Sequence, residues 1–516
     1  MRLLRHVLCV FLTFCLFLPA ALCENVGDAF VLGVLSTRTT ELRPLRPQER
    51  DLVSLYAVIY ESLVVVDDNG IPQPHLAESW AETGNGKTWT FKLRENIVFS
   101  DGTPLTAYDV VASCEYLLAL AKSDNAAERG FYQNIRYMVK SISAPDEKTV
   151  IVKAERSYYG LLYAMTFPVV PASQVDMPSP VGTGPYRVQS FEAGNYLFLT
   201  ANENWWQSAP NVKTITATFY KNNNDLITAY EYGRVDAVFT RSVAAAQYKS
   251  GINALSITYS TRQLETLMLN HRAFPLDSLK VRQAIRYALN IPQISYNVFM
   301  GMTIDANTPV SSGSWLYYDQ EDVYTFNLEK ARALLEEDGW GDSDQNNELD
   351  KLVDGNKKNL VLRLYVYEDP ENNIRYETAN MIADMLDKID ITVNVKEMTY
   401  EDELALLESG SFDMALAAFH TDVVPDYGFF LMRGNTQNYC RYNSSEMTTL
   451  FSTLRSNQSQ TDFFFTSQAI QKQFTNDVPF ICLFYRAGAI LTRKMFTSVR
   501  DIREYELLRG IEAFGR

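Results

Sequence analysis

From Thr261 onward the chain alternates helical and strand periodicities, and this alternation restricts the possible folds more than any other feature. Val281, Ala284, Ile285, Ala288 and Leu289 share one face of a predicted helix that Pro292 closes. Asn327 stands at the N-cap of a second helix, whose apolar face is Ala331, Leu334 and Leu335 and which Gly339 is placed to end. There follow a strand from Leu360 to Tyr367, a helix from Thr378 to Lys388, a strand from Ile391 to Val395, a short helix through Leu404, Leu406 and Leu407, and a strand from Phe412 to Ala417. That order predicts a mostly parallel α/β layer. Ligands of such layers sit beyond the carboxyl ends of the strands, so the loop after Ala417 is a candidate site.

The first half has a different texture. Val31 to Thr183 holds short alternating strands and one good helix. The run Leu76-Ala77-Glu78-Ser79-Trp80, then Lys87 to Arg94, then Phe99 to Val110 reads as a strand, a turn at Asp101-Gly102 and a capped helix. Thr106 is the cap and Asp109 completes a capping-box-like pair. Val110, Val111, Cys114, Leu117 and Leu118 form the helix's apolar stripe, and Trp80 and Phe91 read as core. Next come an extended run from Tyr186 to Thr200, Asn204-Trp205-Trp206, a strand from Thr214 to Tyr220 and a helix-like segment ending at Gly233. A chain of 516 residues is long enough for roughly three domains of about 150 residues.

The first 23 residues stand apart. Arg2 and Arg5 precede the uncharged apolar run Val7 to Leu18, Pro19 breaks it, and Ala21-Leu22-Cys23 offers small residues for cleavage. This is the pattern of a secretory signal peptide, and the run is too short to span a bilayer, which takes about 20 residues. Cleavage is expected after Cys23. A lipid anchor on Cys23 is the alternative, opposed by bulky Leu22 and by a strand-like run that begins as early as Ala29. Losing Arg2 and Arg5 moves the formal net charge from -15 to -17, an acidity that argues against nucleic acid or anionic lipid as a partner. With Cys9, Cys15 and Cys23 in the leader, Cys114, Cys440 and Cys482 remain, an odd set with no C-x-x-C. Cys440 and Cys482 either pair or stay as buried thiols.

Catalytic motifs are missing: there is no G-x-S-x-G, phosphate loop or H-E-x-x-H, and His75, His271 and His420 are widely spaced. No enzyme activity and no cofactor are expected. Asp342-Ser343-Asp344-Gln345-Asn346 has the start of a calcium loop, but Asn347 replaces the required Gly and Val353 the closing acid, so a solvated acidic turn is expected, with no metal. His420, just after a predicted core strand, reads as a hydrogen-bonded wall residue.

Several blocks, in order, resemble the extracytoplasmic solute-binding proteins of oligopeptide and dipeptide ABC importers, solute-binding protein family 5. Leu42-Arg43-Pro44-Leu45 and Ile59 to Val64 resemble its opening, and the Leu76 to Val110 run its signature. Gly182-Thr183-Gly184-Pro185-Tyr186, Asn202 to Trp206 with Pro210 to Lys213, Gly233 to Asp236, Lys280 to Ile285, and Lys330 to Leu335 with Gly339-Trp340 continue the series over nearly the whole mature chain. The resemblance implies an α/β, two-lobed periplasmic-binding-protein fold with a hinge and an additional small domain. Lobe I would comprise 24–50, 180–260 and 481–516, the additional α+β domain 51–179, and lobe II 261–480 with the ligand loop.

The same resemblance implies a monomeric extracytoplasmic receptor that captures oligopeptides in the interlobe cleft and delivers them to ABC permease subunits. Its alternatives within the fold are another solute, such as a nickel chelate or a sugar, or a peptide signal read by a sensor. The site it implies lies at Phe419-His420-Thr421-Asp422, where peptide-binding members have Trp, two small residues and the Asp that holds the peptide ammonium. Asp422 is the expected ammonium contact, with Phe419 in place of the Trp and His420 in place of a small residue. Tyr427 replaces a Pro in the following turn, where Asp426 is expected to shape the loop. Arg441 is a candidate for a ligand carboxylate. The backbone of Thr39-Thr40-Glu41 is the candidate for pairing with an extended peptide.

Overall fold

The computed structural model describes residues 24–25, 28–83, 86–123, 130–248, 255–320, 324–346, 348–369, 372–421, 424–495 and 502–514. The leader lies outside the described residues, as does Asp422. Among the described residues one mixed sheet of eleven strands runs through the molecule. At one end Thr392–Met398, Val361–Tyr367 and Met414–His420 are parallel neighbours, with the helices Ile374–Asp387 and Tyr400–Ser409 in the connections. The parallel layer expected from the alternation is there. At the other end Ala29–Leu35 pairs in parallel with both Thr214–Tyr220 and Ala237–Thr240. The Tyr186 to Thr200 run is a hairpin of two strands, Tyr186–Glu192 and Tyr196–Ala201.

Two long antiparallel strands, Leu255–Leu269 and Phe480–Thr492, join the ends. The first has 15 residues and so extends about 50 Å at about 3.3 Å per residue, enough to pass from one lobe into the other. Its last residues pair with Met414–His420, while Ala237–Thr240 pairs with the far end of its partner. Phe480–Thr492 is buried almost throughout, and Leu255–Leu269 is continuously buried from Leu264 to its end. They make the molecule mixed rather than mostly parallel.

The helices follow their apolar stripes. Val281, Ala284, Ile285 and Ala288 are buried on Leu279–Ala288, and Ala331 and Leu335 on Leu328–Glu337, where the Asn327 side chain accepts from the Lys330 amide. Pro292 does not close the first of these helices. It sits in the first turn of the next, Ile291–Phe299, behind the capping Asn290, because proline lacks only an amide hydrogen that the first turn leaves unused. A separate four-stranded sheet, ordered Ala77–Thr83, Thr88–Leu93, Thr149–Ala154, Val139–Asp146, carries the helix Ala107–Ala121. The Asp109 carboxylate accepts from the Thr106 amide and hydroxyl, both at 2.8 Å. Val110, Cys114 and Leu117 join Phe91, Val150 and Val152 in the buried core.

The Gly182-Thr183-Gly184-Pro185-Tyr186 turn has a packing cause. A Cβ at Gly182 would lie 2.1 Å from the Ile59 carbonyl oxygen, and the Gly184 and Tyr186 amides donate to the Ile59 and Val58 carbonyls. Cys114, Cys440 and Cys482 are free and buried. Among the described residues no helix is long and apolar enough to cross a membrane.

Candidate functional site

Between the two ends of the sheet lies a cavity of about 880 Å³, within the range of about 300–1,000 Å³ typical of small-molecule sites. One wall is aromatic. Glu61, 5% exposed, accepts from the indole nitrogens of Trp205 at 3.0 Å and Trp206 at 3.0 and 3.1 Å, and lies 3.2 Å from His75 Nε2. Arg94 stacks over the Trp206 ring at 5.0 Å and donates to the His75 carbonyl at 2.6 Å.

The loop residues Ser311, Ser314 and Trp315 also line the cavity. The Trp315 amide donates to the Asn69 carbonyl and its indole to the Tyr163 hydroxyl, both at 2.9 Å, and Tyr163 donates in turn to the Gly70 carbonyl. Nearby, the Tyr159 amide donates to the Asn457 carbonyl and Phe463 packs on Tyr158 and Tyr159. The segment around Tyr159 and the segment around Asn457 and Phe463 thus pack on each other.

The floor is made by the long strand at Thr258–Arg262 and by the C-terminal segment, including Glu504, Tyr505 and Arg509. The Glu504 carboxylate is 2% exposed. It lies 3.1 Å from Arg50 and 3.8 Å from Arg241 and accepts from the Arg262 amide at 2.8 Å. Arg241 also forms a forked pair with Asp51 at 2.6 and 3.1 Å. Arg509 pairs with Asp68 and Glu506, and Arg503 with Glu506, each at 3.1 Å. Deeper along the same strand, Glu265 is buried between Arg375 and Arg486 at 3.1 and 2.6 Å. Burial opposes its ionisation, but the two guanidinium groups overcome this and hold its pKa below the usual carboxylate range.

Of the residues singled out in the sequence, Tyr427 lines the cavity, together with Thr421. His420 sits beside it in a recess of about 320 Å³ shared with Arg50 and Tyr505. Burial, then the charges of Arg50, Arg262 and Arg241, lower its pKa to about 3, so the ring is neutral. Nδ1 accepts from Arg50 at 2.8 Å, which leaves Nε2–H to donate to the Tyr505 oxygen, also at 2.8 Å.

The other described candidates do not line the cavity. Phe419 is buried among Phe430, Tyr439 and Phe480 in the aromatic core. The Thr39–Glu41 loop is folded on itself: Thr39 donates to Glu49 at 2.5 Å, the Thr40 amide to Gln48 at 3.2 Å, and Glu41 pairs with Arg43 at 2.6 Å. Arg441 donates to the Leu407 and Glu408 carbonyls at the end of the Tyr400–Ser409 helix, where a cation complements the helix dipole. Asp426 shapes its loop, taking both Arg455 nitrogens at 2.6 and 3.0 Å and the Gly428 amide at 2.9 Å. At the acidic turn, Lys357 bridges Asp344 and Asp350, the latter at 3.0 Å. Sequence reasoning missed Glu61, although it lies inside a quoted block, and it missed Arg262 and Glu504, which carry no local signal at all.

The model for bacterial extracellular solute-binding proteins, family 5 Middle, matches residues 72–439. The Escherichia coli nickel-binding periplasmic protein is 27% identical over 58% of this chain and 59% of its own length, so the match spans less than two thirds of that relative. The Bacillus subtilis oligopeptide-binding protein AppA is 26% identical over 83% of this chain and 81% of its own. Among solved structures, HbpA2 from Haemophilus parasuis superposes with a TM-score of 0.81 at 20% identity, covering 94% of this chain and 99% of that one.

Proposed function

The chain belongs to the bacterial extracellular solute-binding proteins of family 5, and from that premise we propose that it is an importer receptor that captures short peptides in its cleft and hands them to an ABC permease. The observation that carries this reading is the cavity of about 880 Å³, enclosed by an aromatic wall, a polar hinge floor and the Trp315 loop. A ligand buried there touches both ends of the sheet at once. It therefore favours the closed form by its differential contacts, and the closed pair of lobes is what a permease would read. Similarity to an oligopeptide-binding relative over most of both chains supports the peptide as the ligand class.

On this reading residues 1–23 export the chain as a monomer to the outer side of the cell membrane. Lobe I is 24–50, 180–260 and 481–516, the small domain 51–179 and lobe II 261–480. Asp422 keeps its proposed role as the ammonium contact, beside the cavity-lining Thr421.

A second reading, a metal chelate as ligand, is favoured by the nickel-binding relative. Among the described residues the one cluster of potential metal ligands is Asp342, Asp344 and Asp350, remote in sequence from the lining residues and bridged by Lys357. A metal in the cleft would therefore be held through its chelator. Thermal melting of the purified protein with di-, tri- and pentapeptides, sugars and nickel-histidine separates the readings, because a ligand of the native state raises the midpoint. Peptides with a free amino terminus are expected to raise it. A response to nickel-histidine alone would replace the peptide reading, and an unchanged peptide response in Asp422→Ala would remove the ammonium assignment.

A further inference from the structure

Arg262 lies where the pairing of the two long strands slips. Ser260 faces Ala487 and Leu264 faces Tyr485, so Thr261–Gln263 stand opposite Arg486 alone. Bulges of this kind bend a strand and re-aim a side chain. The backbone is clamped on both sides: the Arg262 amide donates to Glu504 at 2.8 Å, and its carbonyl accepts from the Thr421 amide and hydroxyl at 2.9 and 3.2 Å. Thr261 ties the bulge down by donating to the Arg486 carbonyl at 2.8 Å. The guanidinium lies 4.9 Å from the centre of the Tyr505 ring, in a residue that lines the cavity.

The charges around the cleft do not cancel at this point. Arg50 and Arg241 are matched by Glu504 and Asp51, and Arg503 and Arg509 by Glu506 and Asp68. Arg94 is committed to the His75 carbonyl and Trp206. Among the described residues the Arg262 side chain has neither an acidic partner nor an acceptor. The carboxylates of Glu61, Asp68, Glu504 and Glu506, by contrast, are all engaged. A half-buried guanidinium offers five donors in a fixed fork, and each donor turned away from water without an acceptor is costly. A carboxylate matches that fork through two parallel hydrogen bonds.

We infer that the hinge floor is an anion subsite in which the Arg262 guanidinium holds a carboxylate of the bound solute. This deepens the peptide reading and rests on it: the ligand lies with an acidic group at the hinge, either its carboxyl terminus or an acidic side chain. Because the side chain has no described structural partner beyond the Tyr505 ring, Arg262→Gln should fold normally.

Calorimetric titration of the full mature chain with trialanine, trialanine amide and Ala-Glu-Ala amide tests the assignment. The wild type is expected to lose about tenfold or more in affinity on amidation, the weight of one charge-assisted interaction. Arg262→Gln should bind acid and amide alike, and Arg262→Lys should keep part of the preference. Recovery of affinity by Ala-Glu-Ala amide would place a side-chain carboxylate at the subsite; its failure to recover would assign the terminus. Equal binding of acid and amide by the wild type, or an undiminished preference in Arg262→Gln, would overturn the inference. If no peptide bound, the peptide reading would fall by itself, and melting with citrate would decide the subsite: an Arg262-dependent rise in midpoint sustains it, and none removes it.

Discussion

On the aromatic wall of the cleft the Glu61 carboxylate is surrounded by Trp205, Trp206 and His75, and each of these polar groups answers another. On the hinge floor, Arg262 lines the same cavity with no acceptor for its guanidinium among the described residues. Both regions line the same space and both carry buried or half-buried charge. A charge matched within the protein holds the wall in shape, while a charge left unmatched is available to a ligand. The wall is thus read as architecture and the floor as recognition.

Glu61→Ala should give the largest effect. It strands two indole donors and His75, and buried groups without partners cost about 1–3 kcal/mol each. Partial access of water from the cavity reduces the total to about 2–3 kcal/mol, read by denaturant melts. The ligand's order of preference should stay the same, and a changed preference would move recognition onto the wall.

The second effect belongs to the buried ion cluster next to the floor. Burial, reinforced by Glu265 and opposed by Arg375, raises the Glu403 carboxyl to about 8. A carboxyl that holds its proton more tightly folded than unfolded contributes in full below the unfolded value of about 4.3 and loses that contribution as pH rises towards the folded value. The wild-type melting midpoint should therefore fall between about pH 5 and about pH 9, and Glu403→Gln should flatten that slope. A slope unchanged by the substitution would exclude Glu403 as its source.

Trp315→Ala removes the indole that donates to Tyr163, while the backbone bond from residue 315 to Asn69 remains. It should speed ligand release about tenfold in stopped-flow measurements while leaving the on-rate nearly constant. The smallest effect is expected at Arg441→Ala, with a loss of about 0.3–1 kcal/mol from the end of the Tyr400–Ser409 helix and no change in ligand affinity. Weakened binding there would return Arg441 to the site.

How much of this was legible in the sequence depended on range. The caps at Thr106 and Asn327, the stripe through Val281 and Ile285, and the strand Thr214–Tyr220 were visible because they rest on neighbours within a few residues. Pro292 is ambiguous for a local reason, since a proline ends one helix and begins another with equal ease. Phe419 and Arg441 lie close to the site loop in sequence, but neither lines the cavity. The aromatic core claimed the first and a helix terminus the second.

By itself, then, the sequence determined the family, the α/β alternation, the capped helix of the small domain and the turn at Gly182-Thr183-Gly184, all of which depend on short-range sterics and periodicity. Only the tertiary structure decided which charges are matched. Glu61, Arg262, Trp315, Tyr427 and Glu504 come from five distant stretches of chain, and whether a charge is available to a ligand depends on what the fold brings within about 4 Å of it.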